Sequence, residues 1–160
     1  MYVGGLSKTL SSSLRVGYLV ASPAIVKDLA DVKMLTSIGS SRFAEAVAVA
    51  LLERGMYRKY LERLRRRMRD ALGLTVQTLE DSGWELFDKP LGGKFVWARV
   101  PHVADAARLV ECGAPLGVTV APGSYFRPNA EPSPWIRVNA AFTHDPRARA
   151  FFDAAAALPG

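Results

Sequence analysis

A mixed α/β fold is what this sequence predicts, with an antiparallel sheet carrying helices on one face in its second half. Three observations carry that prediction. Residues 23–81 place apolar side chains at helical spacing, and after Gly83 the spacing changes to alternation. Two later helical stretches then separate and follow the alternating ones, which gives the order β-β-α-α-α-β-β-α-β-β-α.

Each element has a local reason. Tyr2 to Leu6 is the end of a strand, and "RVGYLVA" (Arg15 to Ala21) is a second strand. Ser22 and Pro23 form a helix start, a serine cap followed by a proline whose missing N–H costs nothing there. That helix runs to about Leu35. "SIGSS" breaks it, and "RFAEAVAVALLERG" is a second helix stopped by Gly55. From Met56 to Asp81 a third helix carries one apolar stripe, from Tyr57 through Leu64 and Leu72 to Leu79, with Gly73 as a point of weakness. Its arginines at 63, 65, 66, 67 and 69 fall mostly on the other faces, as a solvated face requires; a basic face also suits DNA.

Beyond Gly83, "WELF" and "KFVWARV" are strands joined through "DKPLGG". A helix follows from Val103 to Cys112, then a strand "GVTVAP" and a Pro-rich loop through Pro134. "WIRVNAA" is the last strand. Asp145 and Pro146 open the closing helix as its cap and first residue.

Composition narrows the function classes. Of 160 residues, 49% are hydrophobic and 22% charged, enough to bury a core. The 21 basic and 15 acidic side chains leave +6, a mild excess compatible with anionic ligands. A single cysteine, Cys112, suits a reducing cytoplasm and reads as a bystander thiol in a helix. There is no apolar run of membrane-spanning length, and His102 and His144 form no metal-ligand pattern.

Chemistry gathers instead in "YVGGLSKTLSSSLRVGYLV". Gly4 and Gly5 let a ligand come close to the backbone. Ser7, Thr9, Ser11, Ser12 and Ser13 supply hydroxyls, and Arg15 a cationic fork for phosphate or carboxylate. Lys8, at the end of an apolar strand, is placed for partial desolvation, which favours a nucleophilic amine. This set suits a phosphate-bearing carbonyl compound held as an imine, although a serine-rich turn with a solvent lysine has the same composition. Near the end, alternation turns Ile136, Val138 and Ala140 to a core and Trp135, Arg137 and Asn139 the other way, where an arginine can grip a carboxylate.

"GGLSKTLSSSLRVGYLV" resembles the cofactor-lysine segment of class I/II aminotransferases of fold type I, which use pyridoxal 5′-phosphate. "GGKFVWARV", "GVTVAPGSYF" and "PSPWIRVNAA" extend the resemblance over the whole chain. It implies that Lys8 is the catalytic lysine that bears the cofactor and later moves a proton. It also implies that Ser7 and Arg15 bind the phosphate, and that Arg137 binds the substrate carboxylate. Two positions depart from the pattern: Gly5 stands where a serine is frequent, and Lys94 where an apolar residue is usual. The helix region "KMLTSIGSSRFAEAVAVALLERGMYRKYLERLRRRM" is similar to the aminotransferase-like domains of GntR/MocR-type regulators. Enzymes of the kynurenine/2-aminoadipate type share most of the same motifs.

The resemblance implies the C-terminal part of a larger protein. Residues 1–22 are then the last strands of a cofactor-binding domain, 23–55 connecting helices, and 56–160 a C-terminal small domain. The expected partners are an amino acid or 2-oxo acid and a second copy in a homodimer. DNA would be bound only through an N-terminal domain outside the chain. By the same expectation, Tyr2 to Leu6 lacks its ladder partners, and the chain alone neither transaminates nor holds stoichiometric pyridoxal phosphate. A cofactor-free interaction domain is the plain alternative.

Overall fold

The computed structural model describes residues 1–159, which form two compact units, Met1–Leu64 and a second from Arg65 onward. The first opens on a hairpin, β1 (Tyr2–Gly5) against β2 (Gly17–Val20), antiparallel from Tyr2↔Val20 to Gly5↔Gly17. The first strand therefore has a ladder partner, contrary to expectation, because the serine-rich segment turns the chain straight back on itself. Glycine relieves crowding at 17, where a Cβ would sit 3.0 Å from the Gly4 carbonyl oxygen.

Helix α1 (Pro23–Ser37) begins on Pro23, but Ser22 makes no side-chain cap; its carbonyl accepts the Val26 N–H at 3.0 Å. The side-chain cap belongs instead to α2 (Arg42–Glu53), where Ser41 accepts the Ala44 N–H. The hydrophobic residues buried in this unit are Leu6, Ala44 and Ala48, and α1 buries none. Ile25, Val26, Leu29, Val32 and Leu35 all face solvent.

Helix α3 (Met56–Asp81) passes Gly73 without a break. Its apolar stripe ends in the buried Leu72, Thr75 and Leu79, while Arg63, Arg65, Arg66, Arg67 and Arg69 are exposed. The second unit is built on an antiparallel sheet of order β3-β4-β6-β5: β3 (Glu85–Leu86), β4 (Phe95–Arg99), β5 (Ala121–Pro122) and β6 (Trp135–Asn139). Along β4 and β6 burial alternates, as half-buried side chains of a two-faced sheet must. Val96, Ala98, Ile136 and Val138 join Leu72, Leu79, Leu109, Phe151, Phe152 and Ala155 in one core, so the helices cover one face.

Several elements are shorter than their patterns suggest, α4 and β5 among them. Helix α4 (Ala107–Gly113) starts four residues after Val103, because Asp105 takes the Ala107 N–H and Ser133 the Ala106 N–H. Strand β5 is only two residues long. Gly117, at φ 67, and the Val118 N–H bonded to Gly113 O spend residues 117–118 on ending the helix. Helix α5 (Pro146–Ala156) is capped by Asp145, as the sequence predicts.

The core is knit by aromatic contacts, Trp84 with Phe151 and Phe152 at 6.0 and 5.5 Å, and by the Trp84 Nε1–H donated to Phe152 O at 3.0 Å. Thr75 and Thr143 add a buried hydroxyl pair, which shares two protons among each other and the Ala71 and Ala140 carbonyls. Phe151→Ala should lower unfolding free energy by about 3–5 kcal/mol in urea titrations, from lost burial and a cavity. Thr75→Val should cost only about 1 kcal/mol, since Thr143 still has the Ala140 carbonyl to donate to.

Candidate functional site

Past Gly5 the chain makes one helical turn. Leu6 is buried, and its N–H donates to Val16 O at 2.9 Å, which ties the turn to β2. Leu10 and Ser11 donate back to Leu6 O at 2.8 and 3.3 Å. The first N–H groups of such a turn have no partner within it. Those of Ser7, Lys8 and Thr9 have none among the described residues. Thr9 Oγ1 shares a proton with the Tyr57 hydroxyl at 2.7 Å, fixing the far side of the turn.

Ser11 then accepts the Ser13 N–H and starts a short 3-10 turn, Ser12–Leu14. It delivers Arg15 at φ 51, in the left-handed region, a conformation that costs a residue with a side chain about 1–3 kcal/mol. Such strain clusters at ligand clamps. Lys8 and Arg15 are both exposed, and neither forms an ion pair among the described residues. Lys8 lies beyond the end of β1 and faces solvent in this chain.

Unpartnered N–H groups, the hydroxyls of Ser7, Ser12 and Ser13, a guanidinium and a primary amine lie on this one segment. That donor set fits a compound with a phosphate and a carbonyl. Gly5 is not forced by sterics, since a Cβ there would approach nothing nearer than Val16 O at 4.0 Å.

The second unit holds Arg137. On β6 it stands opposite Trp97 of β4 and Ala121 of β5. Its side chain leaves the core face, as alternation requires, and is half-buried among aromatic rings. Its Cζ lies 4.3 Å from the Phe95 ring centre and 4.8 Å from that of Phe126. The same sheet face carries Arg99 over Trp135 at 5.1 Å and Phe87 edge-on to Trp135. Because β5 pairs only with Ile136 and Arg137, the β6 edge beyond them is open. A groove of about 550 Å³ forms there, lined by Arg137, Asn139, Phe95, Thr119, Asp145 and Arg147 among others.

Asp145 and Arg147 satisfy each other, with Nη2 to Oδ2 at 2.7 Å and the Arg147 N–H to Oδ1 at 2.9 Å. The Arg147 side chain, then its backbone N–H, hold the Asp145 carboxyl down at about 2. Arg137 has no such partner among the described residues, and its N–H groups make no hydrogen bond there. It is the groove's open cation. Cys112 is half-buried, and burial pushes its thiol up, which keeps it protonated and inert.

Ser7, Lys8 and Arg15 therefore share one segment of the first unit, and Arg137 stands in the second. Sequence reasoning missed the aromatic setting of Arg137. Phe95 and Trp97 were legible from the alternation of "FVWAR", but Phe126 sits in a loop with no periodicity to mark it.

The lowered Asp145 carboxyl has a consequence for acid stability. Its contribution is fully present above the unfolded value near 4 and is lost as pH falls toward about 2. Asp145→Asn keeps a capping oxygen but removes the titration. Its urea midpoint should fall less steeply than the wild-type midpoint between about pH 4 and 2.

Comparison with known proteins gives three kinds of match. The family model for aminotransferase class I and II matches residues 1–153. An uncharacterized HTH-type transcriptional regulator of Bacillus subtilis, YdfD, is 31% identical over 144 residues, covering 89% of this chain and 30% of the regulator. Aromatic-amino-acid aminotransferase 1 of Thermococcus litoralis is 28% identical over 149 residues, covering 91% of this chain and 35% of the enzyme. Among solved structures, the α-aminoadipate aminotransferase LysN of Thermus thermophilus, complexed with N-(5′-phosphopyridoxyl)-L-leucine, superposes with a TM-score of 0.80. That match is 25% identical and covers 96% of this chain and 41% of LysN. The chain spans about a third of the length of these curated relatives.

Proposed function

Because the chain belongs to the aminotransferase class I and II family, we propose that it carries the cofactor lysine and the substrate arginine of a pyridoxal-phosphate protein that transfers amino groups between amino acids and 2-oxo acids. The observation that carries this reading is the segment from Ser7 to Arg15, where a free amine, unpartnered N–H groups and a strained, unpaired arginine occur together. The apolar surface left bare on the first unit supports it too, since that unit buries little by itself. In this reading residues 1–22 end the cofactor domain, 23–55 connect, and 56–160 form the small domain.

Pyridoxal phosphate, when bound, supplies the carbonyl that accepts an amino group and the ring that stores the electrons. The chain's own residues do the rest. Lys8 Nζ would hold the cofactor covalently, and as a free amine would serve as the general base that takes and returns a proton. Ser7, Arg15 and the turn's N–H groups anchor the phosphate. The Arg137 fork takes the substrate carboxylate through two parallel N–H bonds and so orients the amino group.

A second reading has one observation in its favour, the 31% identity to an HTH-type transcriptional regulator. The same residues would then sense an amino compound, and the output would be a change in DNA affinity. An amino acid that shifts the whole protein's DNA affinity without being consumed would select this reading; turnover would select the first.

Both readings make the same assignment at Lys8. Borohydride reduction of the whole protein with pyridoxal phosphate should fix one pyridoxyl group on Lys8, and Lys8→Ala should lose it; trapping on another lysine refutes the assignment. A further pair of variants divides the arginines. Arg137→Ala should weaken amino-acid binding by about 1.5–3 kcal/mol with cofactor retention nearly unchanged. Arg15→Ala should loosen the cofactor instead. Equal effects of both on cofactor retention would show this division of labour to be wrong.

A further inference from the structure

Nothing polar holds the Arg137 side chain: it makes no hydrogen bond and no ion pair among the described residues. An arginine side chain free to rotate would lose rotamer entropy on gripping a ligand, which weakens the grip. Yet two rings flank this guanidinium, Phe95 from β4 and Phe126 from the 3-10 turn Gly123–Phe126. Phe126 is itself braced, edge-to-face, by Trp97 at 5.2 Å and 83°. The turn beneath it packs closely on its neighbours: Gly123 is buried where a Cβ would run into Ser133 Oγ and lie 2.9 Å from Trp135 O.

We propose that Phe126, with Phe95, is the positioning device for Arg137, fixing its guanidinium by cation–π contact so that the N–H edge is presented to a carboxylate. The geometry suits both tasks. An aromatic ring attracts a guanidinium through the flat face, whereas a carboxylate binds in the guanidinium plane along the edge, so the two do not compete. Phe126 matters more than Phe95 as a test, since it is contributed by a loop and is 46% exposed, so its removal spares the core. The proposal rests on Arg137 being the carboxylate arginine.

The experiment is a propionate titration of this chain, with the Arg137 Nε–H resonance followed by NMR before and during the addition. Phe126→Leu should shift the ligand-free Arg137 resonance, through loss of the ring current, and raise the propionate dissociation constant about three- to tenfold. Phe126→Tyr, which keeps the ring, should restore both. Arg137→Gln should abolish the response to propionate. If Arg137→Gln loses binding but Phe126→Leu leaves the affinity unchanged, the positioning role is overturned while the carboxylate role survives. If Arg137→Gln leaves binding unchanged, the carboxylate role falls and the positioning role with it.

Discussion

The ladder between β4 and β6, in register from Phe95↔Asn139 to Arg99↔Trp135, sorts the side chains of these two strands into two environments. Val96, Ala98, Ile136 and Val138 go to the helix-covered core; Phe95, Trp97, Arg137 and Asn139 go to the other face. Side chains repeat every two residues, so a slip of one residue would bury Arg137 in the core and expose Ile136. Correct register is favoured on both sides at once: apolar burial on one, cation–π and aromatic edge contacts on the other. The position of the proposed substrate arginine is thus a by-product of the same pairing that makes the core.

The first unit follows a different logic. At Gly17 a Cβ would crowd the Gly4 carbonyl, and the turn is held by backbone bonds from Leu6, Leu10 and Ser11, by the buried Leu6 and by the Thr9–Tyr57 hydroxyl pair. The strain at Arg15 persists because Ser11 caps the turn before it and β2 begins just after it. A backbone that leaves its donors and cations unpaired is suited to meeting an anion. The enzyme and regulator readings draw on this same property. Aminotransferases and HTH-type regulators both appear among the relatives.

The sequence by itself determined the order of elements, the faces of β6 and the residues worth suspecting. Helical spacing, alternation and the Asp145–Pro146 signal are local, and local rules suffice for them. The segment around Lys8 was legible through its resemblance to the cofactor-lysine segment of class I/II aminotransferases, since its residue types alone also fit a serine-rich turn with a solvent lysine. Tertiary structure alone decided where patterns yield to their neighbours. Residues 117–118 went to closing α4 instead of lengthening β5, because the Gly113 carbonyl took the Val118 N–H, and this left the β6 edge open as a groove. Phe126 reached Arg137 from a loop with no period, across a gap in sequence that only folding closes. Contacts of that kind depend on which elements end up side by side, and periodicity along a chain carries no record of that.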